Sequence, residues 1–334
     1  MAQSLSFQSP LSARLVNGRI PVGISACLMG DPVRFNGSHK RSRFCTDTLS
    51  QYFAFESVCP EVGTGMSTPR EPIRLVGSLN DDAVRAVGTV DASVDVTDAL
   101  RAYGEQKAHE MRHLCGYIFM QKSPSCGLFG VKRYLANGHP EGSARGIYAD
   151  AFVQANPLLP VEEAGRLNDA VLRENFMTRV FAYHDWQQFA AASISARGLI
   201  DFHSRYKYLV MAHSLVHYKS MGRILANLRE GNLQTLAQDY FTQLMTALSK
   251  PASRKTHTNT LMHLQGYLKH LLNAGDKAEL SHLIEQYRTG IVPLIVPLTL
   301  LRHHLNHHED ASAYARAQVY LNPHPYELGL RNAL

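Results

Sequence analysis

The sequence predicts two architectures in one chain: an α/β domain, built as a parallel sheet with flanking helices, then an all-α helical C-terminal domain. Three observations carry this. In the first half, short apolar runs rich in β-branched and aromatic residues end in Gly- and Pro-containing loops. Around Asn156-Pro157-Leu158-Leu159-Pro160 the texture changes. Beyond that step, apolar residues recur at helical spacing. The 334 residues suffice for two domains, and 45% hydrophobic against 19% charged residues predict packed cores. The expected segments are a flexible N-terminal arm over 1–18, the α/β domain over 19–155 and the helical domain over 160–334.

In chain order, "RIPVGISACLMG" reads as a buried strand and the loop after it. "FAFESVCPEVGTG" repeats that form, and "PIRLVGS" supplies a third short strand. "VTDALRAYGEQKAHEMRHL" reads as a helix with Thr97-Asp98 as its start signal and Leu100, Tyr103, Ala108, Met111 and Leu114 along it. "CGYIFMQKSPSCG" is again a strand ending in a loop. This strand–helix–strand order predicts a parallel sheet. In the second half, "SRYKYLVMAHSLVHYKSMGRILANL" keeps helical spacing through Tyr206, Leu209, Val210, His213, Val216 and Leu225. "NLQTLAQDYFTQLMTALS" and "HTNTLMHLQGYLKHLLNA" behave alike, which predicts a bundle of five to seven helices. No internal repeat or low-complexity tract is visible.

Composition excludes some classes. No apolar run approaches the roughly 18 residues of a membrane span; the longest, "GIVPLIVPLTLL", carries two prolines. "MAQSLSFQSPLSARLVNG" lacks the basic region and apolar core of a secretory signal, so the cytoplasm is expected. Five cysteines argue against a disulfide framework there and toward ligating, catalytic or buried thiols. A net charge of +6 permits a nucleic-acid partner without demanding one.

The thiols form the central pattern. Cys27 follows "VGISA", Cys59 follows "FAFESV" and Cys126 follows "YIFMQKSPS", each just past the carboxyl end of an expected strand. In a parallel sheet those ends share one edge, where open α/β folds build their sites. Gly30, Gly63, Gly65 and Gly127 let the loops turn, and Pro60 and Pro124 stiffen them. Glu61 stands two residues after Cys59, and Ser123 and Ser125 flank Cys126. A carboxylate and a hydroxyl beside thiolates are groups that move protons. Simple burial is the competing explanation for any free cysteine, and it is the reading for Cys115 and Cys45. Three thiolates admit zinc or an iron–sulfur cluster. Zinc favours local CxxC pairs or histidines, which are scarce in this half; a cluster on three cysteines would leave one iron open as a Lewis acid. The residues alone leave the metal open.

"ISACLMGDPVRFNGSHK", "CPEVGTGMSTPREPIRL" and "KSPSCG" resemble the motifs of the bacterial thiouracil desulfidase family. "KYLVMAHS", "KTHTNTLMHLQGYLK", "GIVPLIVPLTLLRHHL" and "PHPYELGLRN" resemble the helical domain found fused to it in desulfidases acting on 4-thiouridine in transfer RNA. The resemblance spans nearly the full chain. It implies a 4Fe-4S cluster held by Cys27, Cys59 and Cys126, with one open iron to take the thiocarbonyl sulfur. It also implies an acid–base pair on Glu61 and Ser123, and a non-redox hydrolysis that releases sulfide. Lys40, Arg70 and Lys122 read as substrate contacts. The implied partner is transfer RNA containing 4-thiouridine, or thiolated uracil derivatives, with no membrane. Residues 151–334 carry 18 Lys and Arg against 14 Asp and Glu, which fits a moderate RNA surface. Its candidates are Arg205, Lys207, Arg254, Lys255 and Lys269, with His203, Lys219, Arg223 and His257 beside them and Tyr206 and Tyr267 for stacking. Two alternatives stand: a desulfidase of free thiouracil bases or thionucleotides, with the helical domain as lid or dimer surface, and a non-enzymatic iron–sulfur sensor or scaffold.

Overall fold

The computed structural model describes residues 18–78, 84–228, 232–308 and 310–332. The arm read over 1–18 therefore lies, apart from Gly18, outside the described residues. The chain divides into two compact units, one of them Gly18–Asn168 and the other beginning at Asp169.

The first unit runs β1 (Ile20–Ser25), the one-turn helix α1 (Ala26–Met29), β2 (Phe53–Val58), the one-turn helix α2 (Pro60–Gly63), β3 (Ile73–Val76) and β4 (Arg85–Gly88). It continues with α3 (Thr97–Glu110), β5 (Tyr117–Phe119), β6 (Val131–Tyr134), β7 (Pro140–Ala144), α4 (Ile147–Ala155) and β8 (Val161–Glu163). The principal sheet has the order β2-β1-β5-β8, and every pairing in it is parallel. Its inner strands β1 and β5 are buried almost throughout, as a parallel sheet covered on both faces requires.

"PIRLVGS" does form a strand, but as β3 of a second, mixed sheet ordered β4-β3-β6-β7. The β6–β7 hairpin turns at Asn137-Gly138, where the glycine takes φ +85° and the asparagine side chain accepts the His139 N–H (3.1 Å). Ile73, Leu75, Ala86 and Val131 from this sheet share a core with Leu100 and Ile147. Helix α3 meets α4 at Gly104, where a Cβ would lie 2.8 Å from the Tyr148 carbonyl oxygen. The expected Thr97-Asp98 start shifts: Thr97 is already helical, and Asp95 accepts its N–H (2.9 Å). Thr97 Oγ1 is instead taken by the Ala86 N–H (2.8 Å). The Pro-rich step at 156–160 leads from α4 into β8, which pairs with β5, so the first unit runs on to Asn168.

The second unit contains α5 (Ala170–Ala191), α6 (Ala196–His213), α7 (Leu215–Ala226), α8 (Leu233–Leu248), α9 (Arg254–Gln265), α10 (Ala274–Thr289), α11 (Ile295–His307) and α12 (Ala313–Arg316), with no strand among the described residues. Side chains close the helix starts: Asp169 accepts the N–H groups of Val171 and Leu172, and Ser253 and Thr256 form a capping box. The pattern that reads as continuous through "SLVHYKS" breaks at Ser214, whose extended backbone ends α6 and whose side chain caps α7. Val216 is consequently 75% exposed rather than part of the core. Trp186 stacks on Phe241 (5.0 Å), and Phe202 on Tyr206 (4.5 Å). Glu174 pairs with the buried Arg331 at 2.7 Å, and the buried Asp185 pairs with Arg205 at 3.2 Å. Burial alone would raise the Glu174 carboxyl; Arg331 overrides it and holds it well below the usual range. Among the described residues no helix is long and apolar enough to cross a membrane.

Candidate functional site

Because β1, β2 and β5 run parallel, the segments leaving their carboxyl ends gather at one edge of the sheet. A cavity of about 430 Å³ opens there, lined by Cys27, Cys59 and Cys126. That volume suits a small ligand. Cys27 lies on α1, whose turn is closed by Gly30 at φ +106°. Cys59 precedes α2, whose Pro60 is set for a first helical position, and its thiol lies 3.8 Å from the Val33 carbonyl oxygen. The Cys126 loop is wound tightly. Ser123 Oγ accepts the N–H groups of Ser125 (3.2 Å) and Cys126 (3.1 Å), and the Gly127 N–H donates to the Ser123 carbonyl (2.8 Å). Only glycine fits at 127, since a Cβ would stand 2.3 Å from Val131 Cγ2.

Burial pushes the Cys27 thiol up to about 11, and Cys59 beside it adds to the shift. Burial also raises Cys59, and it raises Cys126 well above the ordinary thiol range, with Glu61 contributing. All three are therefore protonated at neutral pH until a cation displaces the protons. Cys45 and Cys115 are fully buried and do not line the cavity; burial raises both, Cys115 to about 12. Among the described residues no three His, Cys, Asp or Glu side chains converge to hold a single metal ion.

Glu61 lines the same cavity. Its Oε1 accepts the Ser125 hydroxyl (2.8 Å), and its Oε2 accepts Arg70 Nε (2.8 Å) and Nη2 (2.7 Å). The hydroxyl on Glu61 is thus that of Ser125, the other serine flanking Cys126, and not that of Ser123. Ser123 also lines the cavity; with its lone pairs on two amides, its hydrogen remains to donate.

Arg70, expected as a substrate contact, also lines the cavity, but its guanidinium is engaged within the protein. Besides Glu61, its guanidinium donates to the carbonyls of Ser67 (3.0 Å) and Val33 (2.8 Å) and to Thr68 Oγ1 (3.1 Å). The side chain is only 5% exposed, and its donors are spent within the protein. Lys40 and Lys122 do line the cavity with exposed side chains, and Lys122 takes the left-handed φ of +59°. Arg34 and Phe35, inside a quoted motif but assigned nothing from sequence, line it too.

In the helical unit several expected RNA-facing groups are engaged within the protein. Tyr206 is fully buried. Arg205 holds Asp185, and Arg254 donates to the Tyr287 carbonyl (2.7 Å). His203 and His257 are buried against Tyr240 and Tyr320. Burial lowers His203 to about 4 and, with Arg331 nearby, His257 to about 3. Tyr267 is half-buried and hydrogen-bonded to Tyr208 (3.1 Å). Lys207 and Lys219 line a depression of about 490 Å³ with Tyr218 and Tyr314. Lys219, Arg223, Lys255 and Lys269 are exposed.

Comparison with known proteins follows the same division. Residues 207–325 match a family described as protein of unknown function (DUF1722). The uncharacterized protein YbgA of Escherichia coli (strain K12) is 32% identical over 161 residues, 48% of this chain and 94% of that protein. The uncharacterized protein YbbK of Bacillus subtilis (strain 168) is 30% identical over 109 residues, 31% of this chain and 71% of that protein. A solved structure, the 4Fe-4S-dependent thiouracil desulfidase TudS, is 26% identical over 47% of this chain and 98% of its own, with a TM-score of 0.36. The unit that carries the three-thiol cavity matches the family described as 2-thiouracil desulfurase over residues 22–164, so the chain carries a domain of that family.

Proposed function

We propose that the chain removes sulfur from thiolated uracil with the help of a 4Fe-4S cluster held by Cys27, Cys59 and Cys126, and that its preferred substrate is 4-thiouridine in transfer RNA. The observation that carries the reading is the donor set: three thiols from three separate loops line one cavity together with a carboxylate and a hydroxyl. The residues fit such a cluster. Iron–sulfur clusters are held by cysteine thiolates, and here three loops each bring one cysteine to the same cavity.

When bound, the cluster would supply an iron that no cysteine occupies, a Lewis acid for the thiocarbonyl sulfur. The protein's own part is proton handling. Glu61, held from one side by Arg70 and from the other by Ser125, accepts a proton from the water that attacks the ring carbon. Ser123 directs its unspent hydroxyl hydrogen toward the ring nitrogen. The balance is hydrolytic: C=S and water become C=O and hydrogen sulfide, with no electrons gained or lost.

The RNA reading rests on the exposed Lys219, Arg223, Lys255 and Lys269 and on the depression where Lys207 lies 5.9 Å from the rings of Tyr208 and Tyr218. A base within RNA would have to swing out of its stack to reach the cavity, at a cost of a few kcal/mol. The cavity suits free thiouracil bases equally well. Anaerobic incubation of the reconstituted protein with thiolated transfer RNA, 2-thiouracil and 4-thiouracil, followed by thiocarbonyl absorbance, separates the readings. Loss of RNA turnover alone in Lys255→Glu/Lys269→Glu supports the RNA substrate. Equal turnover of free bases and RNA, unaffected by that change, favours the free-base enzyme.

A further inference from the structure

We infer that Phe35 is the platform on which the pyrimidine ring of the substrate stacks at the mouth of the cavity, an inference that rests on the thiolated-uracil reading. Phe35 is the one aromatic side chain among the described residues lining the cavity. It is 38% exposed, although an aromatic ring gains most by burial. Its exposure leaves a flat apolar face at the wall of the cavity.

The loop that carries the ring is also held in place. Arg34 stands over it, 5.6 Å from the centroid. The Phe35 carbonyl accepts the Arg70 N–H (2.8 Å), and the carbonyl of Val33, two residues earlier, accepts Arg70 Nη2 (2.8 Å). The turn beyond is closed by Arg34 N–H to Ser38 O (3.1 Å) and Gly37 N–H to Arg34 O (2.8 Å), with Gly37 at φ +72°. One arginine therefore fixes both the carboxylate on the cavity wall and the loop that presents the ring. A surface already ordered before the ligand arrives binds at lower entropic cost. Every base has a π-face, so such a platform holds the ring and leaves its thiocarbonyl edge free to point inward toward the thiols.

The test uses the full chain, reconstituted anaerobically, with Phe35→Ala, Phe35→Leu and Phe35→Tyr. Phe35→Ala raises KM for 4-thiouridine by about 5- to 100-fold, the range that loss of one base stack spans, with kcat and iron content little changed. Phe35→Tyr keeps the normal KM. Phe35→Leu, apolar and bulky but not flat, behaves like Phe35→Ala. Equilibrium dialysis against uridine, the unreactive product, shows the same order of affinities without any turnover. Unchanged KM and unchanged uridine affinity in Phe35→Ala, or restoration by Phe35→Leu, overturns the inference. If the unaltered protein converts no thiolated pyrimidine, the proposed reaction falls by itself, and the dialysis still decides whether Phe35 binds the ring.

Discussion

In the first unit three thiols and Ser123 line a cavity of about 430 Å³ beside the Glu61–Arg70 pair, while in the second the Glu174–Arg331 pair and the His257–Tyr320 contact border a space of only about 20 Å³. Both units bury ionisable groups, and burial shifts thiols and imidazoles alike toward their neutral forms. What separates them is unspent capacity. Around the cavity three thiols line space that a ligand could fill, and among the described residues the Ser123 hydroxyl accepts two amides without an acceptor for its own hydrogen. In the helical unit Glu174 and Arg331, Asp185 and Arg205, and His257 and Tyr320 answer one another within the scaffold. A perturbed titration marks a site only where it coincides with room for a ligand.

The sharpest way to break this contrast is to remove the thiols one at a time. Cys27→Ala, Cys59→Ala and Cys126→Ala each abolish iron–sulfur absorbance and turnover, whereas Cys45→Ala and Cys115→Ala keep both, as anaerobic reconstitution with iron quantification would show. Next in size, Glu61→Gln retains the iron and loses about 10²- to 10⁴-fold in kcat, the usual contribution of a proton-transfer group. The same assay ranks the hydroxyls: a larger loss in Ser125→Ala than in Ser123→Ala assigns the working partner of Glu61 to Ser125, and the reverse order returns it to Ser123.

The helical unit responds in stability instead of chemistry. Arg331→Met strands Glu174 and costs about 3 kcal/mol in denaturant unfolding, with kcat per loaded cluster unchanged. Near neutral pH the last effect is silent, and it emerges only on acidification. An unfolded histidine takes its proton near pH 6.5, whereas folded His257, neutralised by burial and by Arg331, takes it only near 3. Between those values the unfolded chain binds more protons, so stability falls as pH falls from about 6.5 toward 3. Melting curves across that window flatten in His257→Gln.

Much of the site was legible because its signals are local. Cys27, Cys59 and Cys126 each follow a strand in sequence, and parallel pairing alone brings such ends to one edge. The division of strands between two sheets was not legible: "PIRLVGS" has the same apolar texture as the principal strands, and only pairing with β4 and β6 assigns it elsewhere. The break at Ser214 is a single cap inside a continuous periodicity. Arg70 looked like a free cation because a sequence shows charge and not partners; the carbonyls of Val33 and Ser67 that absorb its donors belong to the fold. The same holds for Arg205 and Tyr206, whose charge and ring suit RNA in sequence; in the structure the half-buried Arg205 holds Asp185 and Tyr206 is fully buried.

The central claim is that three thiols and Glu61 form one desulfurising cavity. The most direct measurement follows thiocarbonyl absorbance and released sulfide together, with anaerobically reconstituted protein, thiolated uracil substrates and no added reductant. The account predicts decay of the band with one sulfide released per thiocarbonyl lost, abolished in Glu61→Gln at full iron loading. Full iron loading of the unaltered protein with no decay on transfer RNA, nucleoside or free base would contradict it.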